Sequence, residues 1–139
     1  PRQGDGQDQG VCAGRAMTPT QRSLKLLREE GWRCEIVERW NPHTKTRHDL
    51  FGIADLLAIK PGHMPTLVQT TSGSNLSARL KKIAETEGVQ DLIASGFRIE
   101  IHGWRTFLVK RGGKARRWVP ARHIYGEENC LPQPCATSL

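Results

Sequence analysis

At 139 residues and 15.6 kDa the chain has room for one domain with a real core and is too short for two unless one is minimal. Its 21 lysines and arginines against 14 acids give a formal charge of +7 and a pI near 9.7, which favours a polyanionic partner such as nucleic acid over an acidic small molecule; the plainer reading is a surface kept soluble. No window approaches the roughly 18–20 apolar residues of a membrane span, and no secretory-type apolar core is present near the N-terminus, so a soluble, cytoplasmic protein is expected.

Residues 1–16, PRQGDGQDQGVCAGRA, are rich in Gly and Gln and nearly devoid of large apolar side chains. They cannot bury enough surface to offset the entropy of ordering, and are expected to be disordered or an upstream extension, with Met17 a candidate initiator. A helix follows: Thr18 is placed as N-cap, Pro19 at the first helical position and Gln21 three after the cap, with Leu24 and Leu27 on the apolar side and Gly31 as the stop. WRCEIVERW alternates around Cys34 and Ile36 as a strand, and NPHTKTRHD reads as a polar loop.

IADLLAIK and PTLVQTTS are short and aliphatic, separated by a Pro-Gly segment, and read as two buried central strands. After Ser72-Gly-Ser-Asn, SNLSARLKKIAETEG restarts at helical period with Leu76, Leu80 and Ile83 on one side and Asn75, Arg79 and Lys82 in a polar stripe beside them. VQDLIASG is a second helical piece ending at Gly96; FRIEIHGW and TFLVKR read as two strands around His102-Gly103. Lys110, Arg111, Lys114, Arg116, Arg117 and Arg122 then follow with no acid between Glu100 and Glu127, and the tail shows no period.

This order, helix, three strands, helix, helical piece, two strands, predicts a single α/β domain over residues 17–125 with helices flanking a mixed central sheet, and an irregular tail over 126–139. Cys12, Cys34, Cys130 and Cys135 contain no C-x-x-C pair, which argues against zinc and for reduced thiols, a Cys130–Cys135 bridge being the alternative.

Asp55 opens a strand otherwise built from Leu56, Leu57, Ala58 and Ile59. A carboxylate there must be solvated, paired or metal-bound, since stranding it in apolar surroundings costs several kcal/mol; a strand-edge Asp bonded to a loop amide is the plain alternative. Gln69 and Thr71 share one face of the next strand, and hairpin pairing brings Asp55 and Gln69 together at one sheet end, where the Gln carbonyl oxygen can join a Mg²⁺ shell anchored by Asp55. Asp49, in RHDLFG, is a second candidate acid, or pairs with Arg47 in the loop; the spacing of His43, His48 and Asp49 matches no zinc signature.

Helix, strand, FGIADLLAI, LVQTT and a basic helix, over residues 18–110, resemble the PD-(D/E)XK nuclease superfamily, in particular archaeal-type Holliday junction resolvases. The resemblance implies a restriction-endonuclease-like fold with Asp55 as metal-binding acid, Gln69 in the place of the third-motif acid and Thr71 in the place of its lysine. Resolvase-like members also carry an acid near the start of the first helix, where this chain has Thr20 and Gln21, with Glu29 and Glu30 only at the far end. A migrated cation, Lys82 or Arg79, would replace the lysine, whose role is to orient water and stabilise phosphorane charge.

The function this implies is Mg²⁺- or Mn²⁺-dependent cleavage of branched or duplex DNA by a phage-encoded protein, with a homodimer as the resolvase-like assembly. Metal would lie on Asp55, Gln69 and Asp49, catalysis on Asp55, Gln69, Thr71 and Lys82, and DNA on Thr70, Ser72, Ser74, Asn75, Arg79, Lys82, Lys110, Arg111, Lys114, Arg116 and Arg117 within a basic segment spanning Arg105 to Arg122. Trp104, Trp118 and Tyr125 either stack on bases or fill the core. A descendant of the same fold that binds nucleic acid or a protein without cleavage is the alternative, and a scaffold whose charge is incidental a remoter one.

Overall fold

A computed structural model of the chain describes residues 16–126. The expectations for residues 1–15, for Cys12, Cys130 and Cys135, and for the tail past Gly126 lie outside the described residues. Helix α1 spans Pro19–Glu29, and its start is a capping box: the Thr18 hydroxyl accepts from the Gln21 amide at 3.2 Å and the Gln21 side chain accepts from the Thr18 amide at 3.0 Å. Its end is a left-handed Gly31 (φ 91°), after which the Trp32 amide reaches back to Leu27 O at 2.9 Å, so the chain reverses directly into the sheet.

Strands β1 (Arg33–Ile36), β4 (Leu56–Ile59), β5 (Thr66–Ser72), β6 (Arg98–Leu108) and β7 (Arg116–Ile124) form one sheet in the order β1-β4-β5-β6-β7; β2 (Arg39–Asn41) and β3 (Thr46–His48) form a separate ribbon. Only β5–β6 is parallel, and its crossover contains a 3₁₀ turn (Gly73–Asn75), α2 (Leu76–Glu85) and α3 (Val89–Ala94). The fold is therefore a single α/β domain with a mixed five-stranded sheet.

The sheet has two dressed faces. Leu27 of α1 packs with Cys34, Leu56, Ala58 and Val68 on one; Leu76, Ile83, Val89 and Leu92 of α2 and α3 pack with Leu67, Ile99 and Ile101 on the other. β5, central and buried but for Ser72, carries side chains to both layers. Cys34 is a buried thiol that burial pushes up to about 11, consistent with an inert core residue.

Three sequence expectations are corrected. WRCEIVERW is not one strand: β1 ends at Ile36, which is exposed, and the polar loop folds back as the β2–β3 ribbon with pairs Arg39↔His48 and Asn41↔Thr46. The Asn41 side chain organises the turn by accepting the His43 amide at 2.9 Å. FRIEIHGW and TFLVKR are one continuous strand, because Gly103 is not a break but a contact point: a Cβ there would lie 3.3 Å from the Leu76 side chain, so glycine lets α2 settle on the sheet. The basic run from Arg116 to Ile124, for which the sequence predicts no element, is the edge strand β7, a position that tolerates Pro120.

Below α1 lies a buried polar chain. Glu100 Oε1 accepts from His102 Nε2 (2.9 Å) and from Arg122 Nε (2.6 Å); His102 Nδ1 meets the Ser23 hydroxyl (2.8 Å), which accepts from Trp104 Nε1 (2.8 Å). With Nε2–H donated to the carboxylate, Nδ1 takes the Ser23 proton, and these buried polar atoms are all satisfied. Burial alone would raise the Glu100 carboxyl, but the hydrogen bonds from His102 and Arg122 outweigh it and hold the group at about 2. Arg122 also binds both Glu30 oxygens, at 2.8 and 2.7 Å, tying β7 to the end of α1.

Ser23→Ala leaves the Trp104 indole and His102 Nδ1 without a partner in a site that water does not reach. The expected cost is about 2 kcal/mol, read as a lower urea midpoint with an unchanged slope; a midpoint equal to that of the unaltered protein rules the chain out as a structural element.

Candidate functional site

At the sheet end where β4 begins, Asp55 stands one step beyond the Leu56↔Val68 pair, which sets it opposite Gln69. Its Oδ2 accepts three hydrogen bonds: from Gln69 Nε2 (2.9 Å), the Thr70 amide (2.8 Å) and the Thr70 hydroxyl (2.9 Å). Thr70 Oγ1 lies 2.9 Å from Thr20 Oγ1, so the line of hydroxyls runs from the first turn of α1 to the carboxylate. The main chain is tied as well, with the Asp55 amide on Val68 O (3.0 Å) and the Val37 amide on Asp55 O (2.9 Å).

Two further acids arrive from the ribbon. Glu38 precedes β2 and Asp49 follows β3, one step beyond the Arg39↔His48 pair, so the ribbon's base holds them side by side. A tight turn then carries the chain from Asp49 back to Asp55: Leu50 and Ala54 exchange hydrogen bonds at 2.9 and 3.0 Å across Phe51 and Gly52, both left-handed (φ 55° and 71°). Glu38, Asp49 and Asp55 each offer an oxygen within 4.8 Å of the others.

These acids line a cleft of about 460 Å³ whose floor is Gln69 and Thr70 and whose rim is the Thr18–Thr20 turn of α1. Arg79 and Lys82 reach it from α2, and Arg47 from β3, so three cations face three carboxylates. Arg47 pairs with Glu38 (3.5 Å). Burial pushes the Asp55 carboxyl up; the Thr70 amide opposes this, the neighbouring Asp49 charge adds to it, and the result is about 6.

The donor set is all oxygen, the chemistry of a hard divalent cation. Oδ2 of Asp55 accepts all three of these hydrogen bonds, so Oδ1 is its oxygen without a donor among the described residues; one oxygen each of Asp55, Asp49 and Glu38 share the space. The residues present therefore fit such an ion. Gln69 contributes differently from the expectation: its amide nitrogen, not its carbonyl oxygen, faces Asp55, because an ionised carboxylate needs a donor.

Of the residues singled out from sequence, Asp49, Asp55, Gln69, Thr70, Arg79 and Lys82 share the cleft. Thr71 is buried opposite Gly103 and lies outside the cleft lining. Ser72 and Ser74, with hydroxyls 3.1 Å apart, border another cleft with Arg105 and Trp118, and Asn75 is exposed at the start of α2. Lys110, Arg111 and Lys114 are exposed between β6 and β7; Arg117 is exposed and Arg116 folds back on Thr106 at 3.0 Å. With Arg116, three cations of the basic segment are engaged internally: the others are Arg122 on Glu100 and Glu30, and Arg105 on Gly73 O at 2.9 Å. Trp104 is buried and Tyr125 packs against the core, while Trp118 is 45% exposed.

Glu38 escaped the sequence reading because it sat in an apparent strand; the signal was its distance from a turn-forming Asn41 that also returns Asp49. Comparison of the chain with protein-family models, with curated proteins and with solved structures finds no match.

Because the folded protein binds the Asp55 proton more tightly than the unfolded chain does, the ionised group costs stability. The cost is absent below the ordinary aspartate value of about 4, grows as pH rises to about 6 and is complete above it, on the order of 3 kcal/mol. Asp55→Asn keeps an oxygen for the three donors and turns its amide toward Asp49. It is expected to melt several degrees higher than the parent at about pH 8 in chelator, with the gain vanishing near pH 4; a pH-independent difference would show that Asp55 is not the group responsible.

Proposed function

We propose that the chain is a divalent-metal-dependent DNA endonuclease with the PD-(D/E)XK layout, of Holliday-junction-resolvase-like type on a restriction-endonuclease-like fold. The observation that carries this reading is the convergence of Asp55, Asp49 and Glu38 on one space at the open end of a mixed sheet, faced by Lys82 and Arg79. A divalent cation bound by the three acids would supply Lewis-acid polarisation of a phosphodiester and a water acidic enough to attack at neutral pH.

The chain's own residues divide the remaining work. Thr70 and Gln69 hold one oxygen of Asp55 so that the other is presented in a fixed direction. Lys82, exposed on α2, and Arg79 beside it put positive charge where the scissile phosphate would gain negative charge, a role the superfamily gives to a lysine at the position of Thr71. Glu38, held by Arg47, completes a carboxylate set that would otherwise lack the first-helix acid.

Thr71 favours a second reading, in which the same cleft binds nucleic acid without cutting it, since a buried threonine cannot supply a charge. The two separate cleanly. In the nuclease reading, Mn²⁺ or Mg²⁺ raises the melting temperature of the parent protein and not that of Asp55→Ala, and branched, duplex or single-stranded DNA is cut by the parent alone. Lys82→Ala is expected to lower the cleavage rate by about 100-fold while leaving the metal-induced thermal shift in place. Absence of both a metal shift and cleavage of every DNA form would remove the enzyme from consideration.

A further inference from the structure

β6 and β7 outrun the rest of the sheet. The β5–β6 register ends at Ser72↔Trp104, whereas β6 and β7 stay paired to Leu108↔Arg116, so Arg105–Leu108 and Arg116–Val119 form a two-stranded arm with no third strand among the described residues. The four rows past Trp104 project roughly 13 Å, at about 3.3 Å per residue. Phe107, Leu108, Val109 and Trp118 are all exposed on it. A ribbon of this kind is marginal alone, and so many uncovered apolar side chains mark a contact surface.

Charge chooses among the occupants. The tip and flank carry Lys110, Arg111, Lys114, Arg116 and Arg117, with no acid from Arg105 to Gly126. A second copy docking arm to arm would set like charge against like, whereas a phosphate backbone is complementary. Within this field Trp118 has a specific geometry. The Arg22 guanidinium lies over its ring at 4.1 Å, fixing the indole by a cation–π contact. The ring also borders a cleft of about 420 Å³ edged by the Ser72 and Ser74 hydroxyls, Arg105 and Thr106, a size within the range of small-ligand sites.

We propose that Trp118 on the β6–β7 arm is a stacking platform for an unpaired nucleotide, so that the nucleic acid this protein takes has a single-stranded segment beside the cut site. This rests on the nucleic-acid reading above and adds a site distinct from the acid cleft. A base paired within a duplex hides both faces in the helical stack, so away from a duplex end an unpaired base is the one that can lie on the indole. Trp118 stands two strands across and five rows along from Gln69, roughly 20 Å by sheet spacings. The odd row offset puts the two side chains on opposite faces of the sheet, so this distance is a minimum. At about 3.4 Å per stacked nucleotide, a strand joining the platform to the cleft spans at least about six nucleotides.

The test is binding in chelator, where cleavage cannot contribute, read by fluorescence anisotropy. Three probes are compared: a thymidine oligonucleotide of about 12 residues, an abasic strand of the same length and a duplex of that length; a uridine ribo-oligonucleotide run alongside tells which sugar is preferred. The parent should bind the oligothymidine more tightly than the abasic strand. Trp118→Ala should lose about ten-fold for the oligonucleotide that carries bases and nothing for the abasic strand, and Trp118→Phe should retain most of the affinity. Equal losses on both strands, or none on either, overturn the platform while leaving the acid cleft untouched. A dimer in sedimentation that Trp118→Ala dissolves reassigns the arm to a second copy and likewise overturns it. No binding of any probe by the parent at low salt overturns this inference and the DNA reading together.

Discussion

A single carboxylate oxygen organises the end of this sheet. Asp55 Oδ2 gathers the Gln69 amide, the Thr70 amide and the Thr70 hydroxyl, and through Thr20 that grip extends to the first turn of α1. The Asp55 backbone is fixed by Val68 on one side and Val37 on the other, and the link to Val37 draws Glu38 alongside. A side chain held at main chain and at one oxygen has no freedom left for the other oxygen. What the cleft presents is therefore a prepositioned charge, which is the property a metal or phosphate chemistry requires and a surface aspartate lacks.

Glu100 is the counterpart with the opposite fate. Both acids are buried against the same sheet, yet Glu100 is held at about 2 while Asp55 is raised to about 6. Glu100 has His102 and Arg122 within 2.9 Å, and burial is overcome by those partners. Asp55 has neutral donors only and a second carboxylate nearby, so burial prevails. A pair of buried acids whose surroundings drive them in opposite directions separates a structural ion pair from a group kept short of positive charge. Arg79 and Lys82 line the same cleft, and among the described residues neither pairs with Asp55.

Much of the architecture was legible from residue patterns. Helix α1 carried complete start and stop signals, and the aliphatic runs of β4 and β5 with the Pro-Gly turn between them fitted two joined central strands, which the structure pairs as a hairpin. What hid was whatever depended on partners far away in sequence. β7 contains Arg116, Arg117, Pro120 and Arg122, a run that suggests no element; it is a strand because β6 offers an unpaired edge and Glu100 and Glu30 receive Arg122. Gly103 looked like punctuation and is a packing contact with Leu76. Hydrophobic period could place Asp55 and Gln69 together, since register follows from the hairpin. It could not place Glu38, whose position depends on a polar ribbon with no apolar period at all.

That ribbon and the turn after it also carry a cost that packing does not repay. Lys45 and Phe51 are the two non-glycine residues with positive φ among the described residues, at 51° and 55°, and both lie between Glu38 and Asp55, in the ribbon and the turn that join the three acids. Each such residue costs about 1 kcal/mol or more. Phe51 is also 60% exposed, so its side chain returns little of that through burial. Added to the penalty for an ionised Asp55, several kcal/mol is committed to one cleft, out of the roughly 5–15 kcal/mol by which a domain is stable. A sheet end serving only as a sheet end would be cheaper with a glycine in the turn and a neutral side chain at position 55. The strain at Lys45 and Phe51 and the uncompensated charge at Asp55 fall on the one stretch of chain that brings the three acids together, which is what the proposed metal site would require.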